Sequence, residues 1–118
     1  MSSPPVSFSE EIEEKGHRFS AVLFKLGNAV LVFFYEGDEI KLGTLAAAMP
    51  QFEGKMCISS ILMGERNTIL TKILAERFSN ASKGIALVST HLAEITDVGT
   101  SATLIKLTKK LLDKVALK

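Results

Sequence analysis

The 118-residue sequence contains one cysteine, three prolines, eight glycines and no tryptophan. Each shortage excludes something. Cys57 has no second cysteine to pair with, so a disulfide framework is ruled out. A reducing compartment is expected, cytoplasmic and by extension nuclear. So few prolines and glycines exclude a collagen-like or low-complexity chain. The longest apolar run, Ala29 to Tyr35, is bounded by Asn28 and Glu36. It falls far short of the ~20 residues of a membrane-spanning helix. The opening Met1-Ser2-Ser3-Pro4-Pro5 has neither the basic nor the apolar region of a secretory signal. A net charge of +1 gives no basic excess of the kind nucleic-acid binding needs.

What is present is apolar. Hydrophobic residues make up 47% of the chain, and mean hydropathy is +0.26. That excludes disorder. A domain this short buries only about two-thirds of its unfolded surface, so the location of the apolar residues matters. Residues 1–118 read as a single domain, with 1–7 a loose Ser/Pro tail. Charge is unevenly spread. Residues 1–40 hold seven acids (Glu10, Glu11, Glu13, Glu14, Glu36, Asp38, Glu39) against three bases, net −4. Residues 103–118 hold Lys106, Lys109, Lys110, Lys114 and Lys118 against Asp113, net +4.

The hydrophobic pattern predicts strands first and helices later. Residues 8–15 fit a strand or a short helix. Residues 18–26 and 29–35 read as a hairpin across Gly27-Asn28. Residues 40–49 read as a third strand stopped by Pro50, although Ala46-Ala47-Ala48 also suits a helix. Residues 55–63 form another strand, ended by Gly64. From Asn67 the period becomes helical, with Leu70, Ile73, Leu74, Arg77 and Phe78 on one side and Asn67 or Thr68 as the cap. Residues 85–90 form a short buried strand, 93–99 a loop, and 101–116 a second helix. The stripe of that helix is Leu104, Leu107, Leu111 and Val115. This order defines an α+β domain: a two-layer sandwich with a mainly antiparallel sheet of five to six strands and two principal helices.

Residues 29–35 and 85–88 are continuously apolar, which suits strands covered on both faces. Two helices cover one face. The other needs either the chain's own N-terminal strands or another molecule. Along residues 30–35, one face carries Leu31, Phe33 and Tyr35 and the other Val30, Val32 and Phe34; alternation alone does not choose between them.

No chemistry emerges from the motifs. Ser60, Ser89 and Cys57 are the candidate nucleophiles and His17 and His91 the candidate bases, but none lies in a catalytic signature. His91, Glu94 and Asp97 lack the further His or Cys of a metal site. Met63-Gly64-Glu65-Arg66-Asn67-Thr68 joins a strand to a helix but lacks the glycines and lysine of a phosphate loop. The Glu10/Glu11 and Glu13/Glu14 pairs read as a solvated face. No catalytic residue, cofactor or metal is assigned, and a binding role is expected.

Several segments, in order, carry a resemblance. They are the hairpin Phe19–Tyr35, the run Leu45-Ala46-Ala47-Ala48-Met49 and the segment Ile58-Ser59-Ser60-Ile61-Leu62-Met63-Gly64-Glu65. The helix bearing Leu74-Ala75-Glu76-Arg77, the strand Ile85-Ala86-Leu87-Val88-Ser89 and a Lys-rich final helix follow. Over roughly residues 17–113 this resembles the small proteasome assembly chaperones. Met63 stands where that family more usually has Leu, and the Glu-rich segment 10–15 has no clear counterpart. The resemblance implies a non-catalytic chaperone that pairs through its sheet with a companion, the third member of the family. The pair would bind proteasome α-subunits and promote α-ring formation. In isolation the resemblance allows a homodimer without requiring one. On this view Leu31, Phe33 and Tyr35 form the partner interface, and Lys106, Lys109, Lys110 and Lys114 a basic surface toward the α-subunits. The competing class is a dimeric scaffold of roadblock or longin type, told apart by whether it co-purifies with proteasome α-subunits or with vesicle and GTPase machinery.

Overall fold

The computed structural model describes residues 6–51, 57–93 and 98–116. Strands β1 (Val6–Glu14), β2 (His17–Lys25), β3 (Ala29–Glu36), β4 (Thr44–Met49) and β5 (Ile58–Met63) come first. Helix α1 (Thr68–Ser82), strand β6 (Ile85–His91) and helix α2 (Val98–Ala116) complete the chain. The six strands form one sheet in the order β1-β2-β3-β6-β4-β5. Every neighbouring pair is antiparallel except β3 and β6. Both helices lie on one side, α2 over β1 and β2, α1 over β4 and β6 with its flank toward β5. The result is the expected two-layer α+β architecture.

Alternation along each strand decides which side chains meet the helices. In β2 and β3 the pairs Ala21↔Phe34 and Leu23↔Val32 point inward. Ala46 and Ala48 of β4 and Ala86 and Val88 of β6 continue the same face. Against them pack Leu74, Ala75 and Phe78 of α1 and Leu104, Leu107 and Leu111 of α2, all fully buried. Phe34 and Phe78 stack at 6.2 Å with an interplanar angle of 54°. Of the three alanines that make residues 40–49 ambiguous, Ala46 and Ala48 are small buried residues on the α1 side of β4, where they let the helix sit close to the sheet. The buried Thr71 and Thr90 hydroxyls bond each other at 2.8 Å, and Thr71 also donates to the Asn67 carbonyl.

The two charged ends of the sequence meet. β1 is the outer strand beside α2, with Phe8 and Ile12 toward the core and Glu10 and Glu14 on the same side. Lys114 Nζ lies 2.6 Å from Glu10 Oε2 and donates to the Ser9 carbonyl at 2.8 Å. Lys106 Nζ lies 3.9 Å from Glu14. The acidic and basic segments thus form a seam between the first strand and the last helix. Lys114 is half-exposed, so Lys114→Ala is expected to cost no more than about 1 kcal/mol. The deficit in urea midpoint should shrink as salt is raised; an equal deficit in low and high salt would exclude an ion-pair origin.

Several boundaries differ from expectation. β4 starts at Thr44 and β5 at Ile58, so residues 40–43 are loop rather than strand. Gly43 lies so close to β6 that a Cβ there would stand 2.1 Å from the Thr90 carbonyl oxygen. Asn67 sits at the N-cap of α1 with left-handed backbone, φ 57°, and makes no side-chain capping bond; its carbonyl accepts the Thr71 amide at 2.9 Å instead. Ile73 and Arg77 are exposed rather than on the buried stripe of α1. α2 begins at Val98, three residues earlier than the spacing suggests. Of the expected N-terminal tail, Val6 and Ser7 belong to β1, and residues 1–5 lie outside the described residues.

Candidate partner-binding face

The side of the sheet away from the helices is built from the alternate set of residues. Leu31, Phe33 and Tyr35 of β3 lie on it, and Val30, Val32 and Phe34 lie under the helices. The pairings carry the same face across the sheet. Phe24↔Leu31 and Val22↔Phe33 extend it onto β2, Leu31↔Leu87 and Tyr35↔His91 onto β6, and Ala47↔Leu87 onto β4. Met49↔Ile58 takes it to β5, where Leu62 and Met63 oppose Leu45 at a β-bulge. Phe24 and Phe33 meet edge to face, centroids 6.1 Å apart at 79°.

No helix covers this side among the described residues. The N-terminal strands β1 and β2 extend the sheet laterally and do not fold over it, which answers one of the two options left by the sequence. Met49, Ile58 and Met63 are about half exposed, at 52%, 51% and 46%. Leu31, Phe33, Tyr35, Leu45 and Leu87 are only partly buried. The face becomes polar toward β1, where Ser7, Ser9, Glu11 and Glu13 stand opposite Phe24, Val22, Ser20 and Arg18. A contiguous apolar patch with a polar rim is the surface composition of a protein–protein contact. Only the β3 part was singled out from the sequence. The β2, β4 and β6 parts require the strand order, which alternation within one strand does not carry.

The four lysines of α2 divide. Lys106 and Lys114 turn to β1, as described. Lys109 and Lys110 are exposed and carry no ion pair among the described residues. The basic surface outside the β1 seam is therefore smaller than the net charge of the segment implies.

The candidate chemical groups are not brought together. Ser89 is fully buried, its Oγ accepting the Gly43 amide at 2.9 Å. Ser60 lies on β5 at the sheet edge, and Cys57 precedes it. His17 Nδ1 bonds Glu36 at 2.7 Å beside a cleft of about 220 Å³ at the start of α2. The other oxygen of Glu36 accepts the Ala93 amide at 3.2 Å. No hydrogen bond joins either histidine to Ser60, Ser89 or Cys57. Glu94 and Asp97 of the candidate metal cluster lie outside the described residues, and no group of three ligating side chains occurs among the described ones.

The fold and its uncovered face define a class first: a one-sided, two-layer α+β domain whose apolar sheet surface is open. No family model and no curated protein matches the chain. Among solved structures, the chain is similar to a chain of the crystal structure of a novel chaperone complex for yeast 20S proteasome assembly. The TM-score is 0.70 at 14% sequence identity, over 95% of both chains. At that identity the likeness is one of fold.

Proposed function

We propose that this protein is a non-catalytic chaperone of proteasome core-particle assembly. One observation carries the reading. The open apolar face centred on Phe33 belongs to a fold shared, end to end, with a chain from a proteasome-assembly chaperone complex. Within the family the sequence segments read most like its fourth member, whose companion is the third. The companion's sheet covers Leu31, Phe33 and Tyr35. The heterodimer then binds proteasome α-subunits and favours closure of the α-ring in the cytoplasm and nucleus. Lys109 and Lys110, with Lys106 and Lys114 behind them, give α2 a positive outer surface that speeds encounter with acidic α-subunit surfaces.

The test is co-expression of the tagged chain with the companion chaperone and individual α-subunits. A stable one-to-one pair that retains α-subunits is the expected result. Absence of both, with the chain folded, would overturn the reading. Reversing Lys109 and Lys110 to glutamate should slow α-subunit association at low salt and leave the pair with the companion intact. An unchanged rate would remove the basic surface from the mechanism.

A further inference from the structure

The two edges of the sheet are made differently. β1 carries Glu10, Glu11, Glu13 and Glu14 in nine residues, with lysines of α2 beside it. Charges of this kind are how natural sheets discourage pairing at an edge. β5, the opposite edge, reads Ile-Ser-Ser-Ile-Leu-Met and carries no charge and no proline. Ile58, Leu62 and Met63 are 51%, 56% and 46% exposed. Among the described residues, no backbone hydrogen bond from outside the sheet reaches residues 58–63.

We infer that β5 is a self-pairing edge, and that its occupant is β5 of a second copy of this chain, antiparallel across a twofold axis. On its exposed side the segment is self-complementary about Ser60, with an aliphatic residue two positions away in each direction. A twofold contact pairs each residue with a residue of its own sequence. In an antiparallel pair, directly opposed residues share a face. With Ser60 on the axis, Ile58 stands opposite Leu62 and Ser59 opposite Ile61. Ile58 and Ser60 lie on the open side, opposite Met49 and Ala47, and Leu62, at the bulge, is 56% exposed. Each copy then covers the other's two exposed aliphatic side chains, and a serine pair sits between them. The inner side is equally compatible: Ser59 bonds Glu76 of its own α1, and Ile61 packs on its own core. A centre between two residues would oppose side chains of different faces, so the axis falls on a residue; of Ser59, Ser60 and Ile61, Ser60 is the one that sets the exposed Ile58 opposite the exposed Leu62. No like charges meet in it. The bulge that places Leu62 and Met63 opposite Leu45 lies at the end of the paired segment, so Ser59–Ile61 stay regular.

The contact joins two sheets edge to edge into one of twelve strands, six from each copy. It leaves Leu31, Phe33 and Tyr35 uncovered, so it is separate from the proposed companion interface and stands or falls independently.

The test places a cysteine on the axis. In a Cys57→Ala background, Ser60→Cys brings two sulfurs together across a pair whose Cα atoms are about 4.5–5.5 Å apart, within disulfide reach. Under mild oxidation Ser60→Cys should cross-link at least about tenfold faster than Ser7→Cys on the outer strand β1. Ser60→Lys, which opposes two ammonium groups, should raise the dimer dissociation constant about tenfold or more. Both are measured in Phe33→Asp protein, so that face-to-face pairing does not contribute. Equal cross-linking at Ser60 and Ser7, or a sedimentation mass that stays monomeric at millimolar concentration, would overturn the inference. A dimer indifferent to Ser60→Lys would do the same.

Discussion

Phe33→Asp is expected to leave the domain folded and to weaken its pairing with a companion chaperone by at least about 30-fold, the equivalent of ~2 kcal/mol for a central aromatic anchor. Phe34→Ala, one residue along, is expected to do the reverse. Phe34 is fully buried against Phe78, and truncating it removes a core aromatic at a cost of about 3–5 kcal/mol. Phe33 is only partly buried on the open side, where a carboxylate stays in water until a partner covers it. Covering it then buries an unpaired charge. The pair of variants separates the two faces of one strand. Urea unfolding and isothermal titration with the companion give the two readouts. A Phe33→Asp protein that binds as tightly as the parent would remove this face from the interaction. A Phe33→Asp protein that fails to fold is covered by Phe33→Ser, which carries no charge and tests the same contact.

Gly43→Ala is expected to be among the most destabilising single-methyl changes in the chain. The added Cβ would stand 2.1 Å from the Thr90 carbonyl oxygen and 2.9 Å from His91 Cα, both backbone atoms. Neither can rotate away. The loop must lift from β6, breaking the 2.9 Å bond from the Gly43 amide to the buried Ser89 hydroxyl. An unsatisfied buried hydroxyl adds about 1–3 kcal/mol to an overpacking cost of similar size. Gly64→Ala meets both a positive φ of 97° and the Thr44 side chain, 2.6 Å away. Gly37→Ala is the control: its φ is 98°, but nothing lies within 4 Å, so only the backbone cost, about 1 kcal/mol, applies. Thermal unfolding should rank Gly43→Ala as severe and Gly37→Ala as mild. Equal losses would show that the close approach to β6 does not hold in solution.

Much of the fold was legible because local signals and burial agree. Residues 29–35 and 85–88 are apolar without interruption, and both lie in the middle of the sheet, as β3 and β6. Leu104, Leu107 and Leu111 mark the buried stripe of α2 at helical spacing. The failures have physical causes. Glu10 to Glu14 were ambiguous because the partners that hold them in a strand, β2 and the lysines of α2, lie elsewhere in the chain. Residues 40–43 looked like strand because Ile40 and Leu42 alternate with polar neighbours. Gly43 instead takes the chain across the end of β6 as loop, and both side chains remain about half exposed. Ile73 joined the α1 stripe by spacing alone, yet the helix meets the sheet on the arc around Leu74 and Phe78. The two sets on β3 were separable from alternation. Which set faces away depends on where the helices sit, and that is a property of the whole chain.

The unequal edges limit what this protein builds. A sheet with two open edges can add copies at either end and grow into a fibre. Here one edge is held by glutamates and lysines, and the other is free of charge. Pairing through β5 uses the uncharged edge of each copy and leaves the β1 edges outermost on both sides. Growth stops at two. The glutamates that blur the reading of residues 8–15 as strand thus act as a terminator, and an edge contact is compatible with a soluble, finite particle.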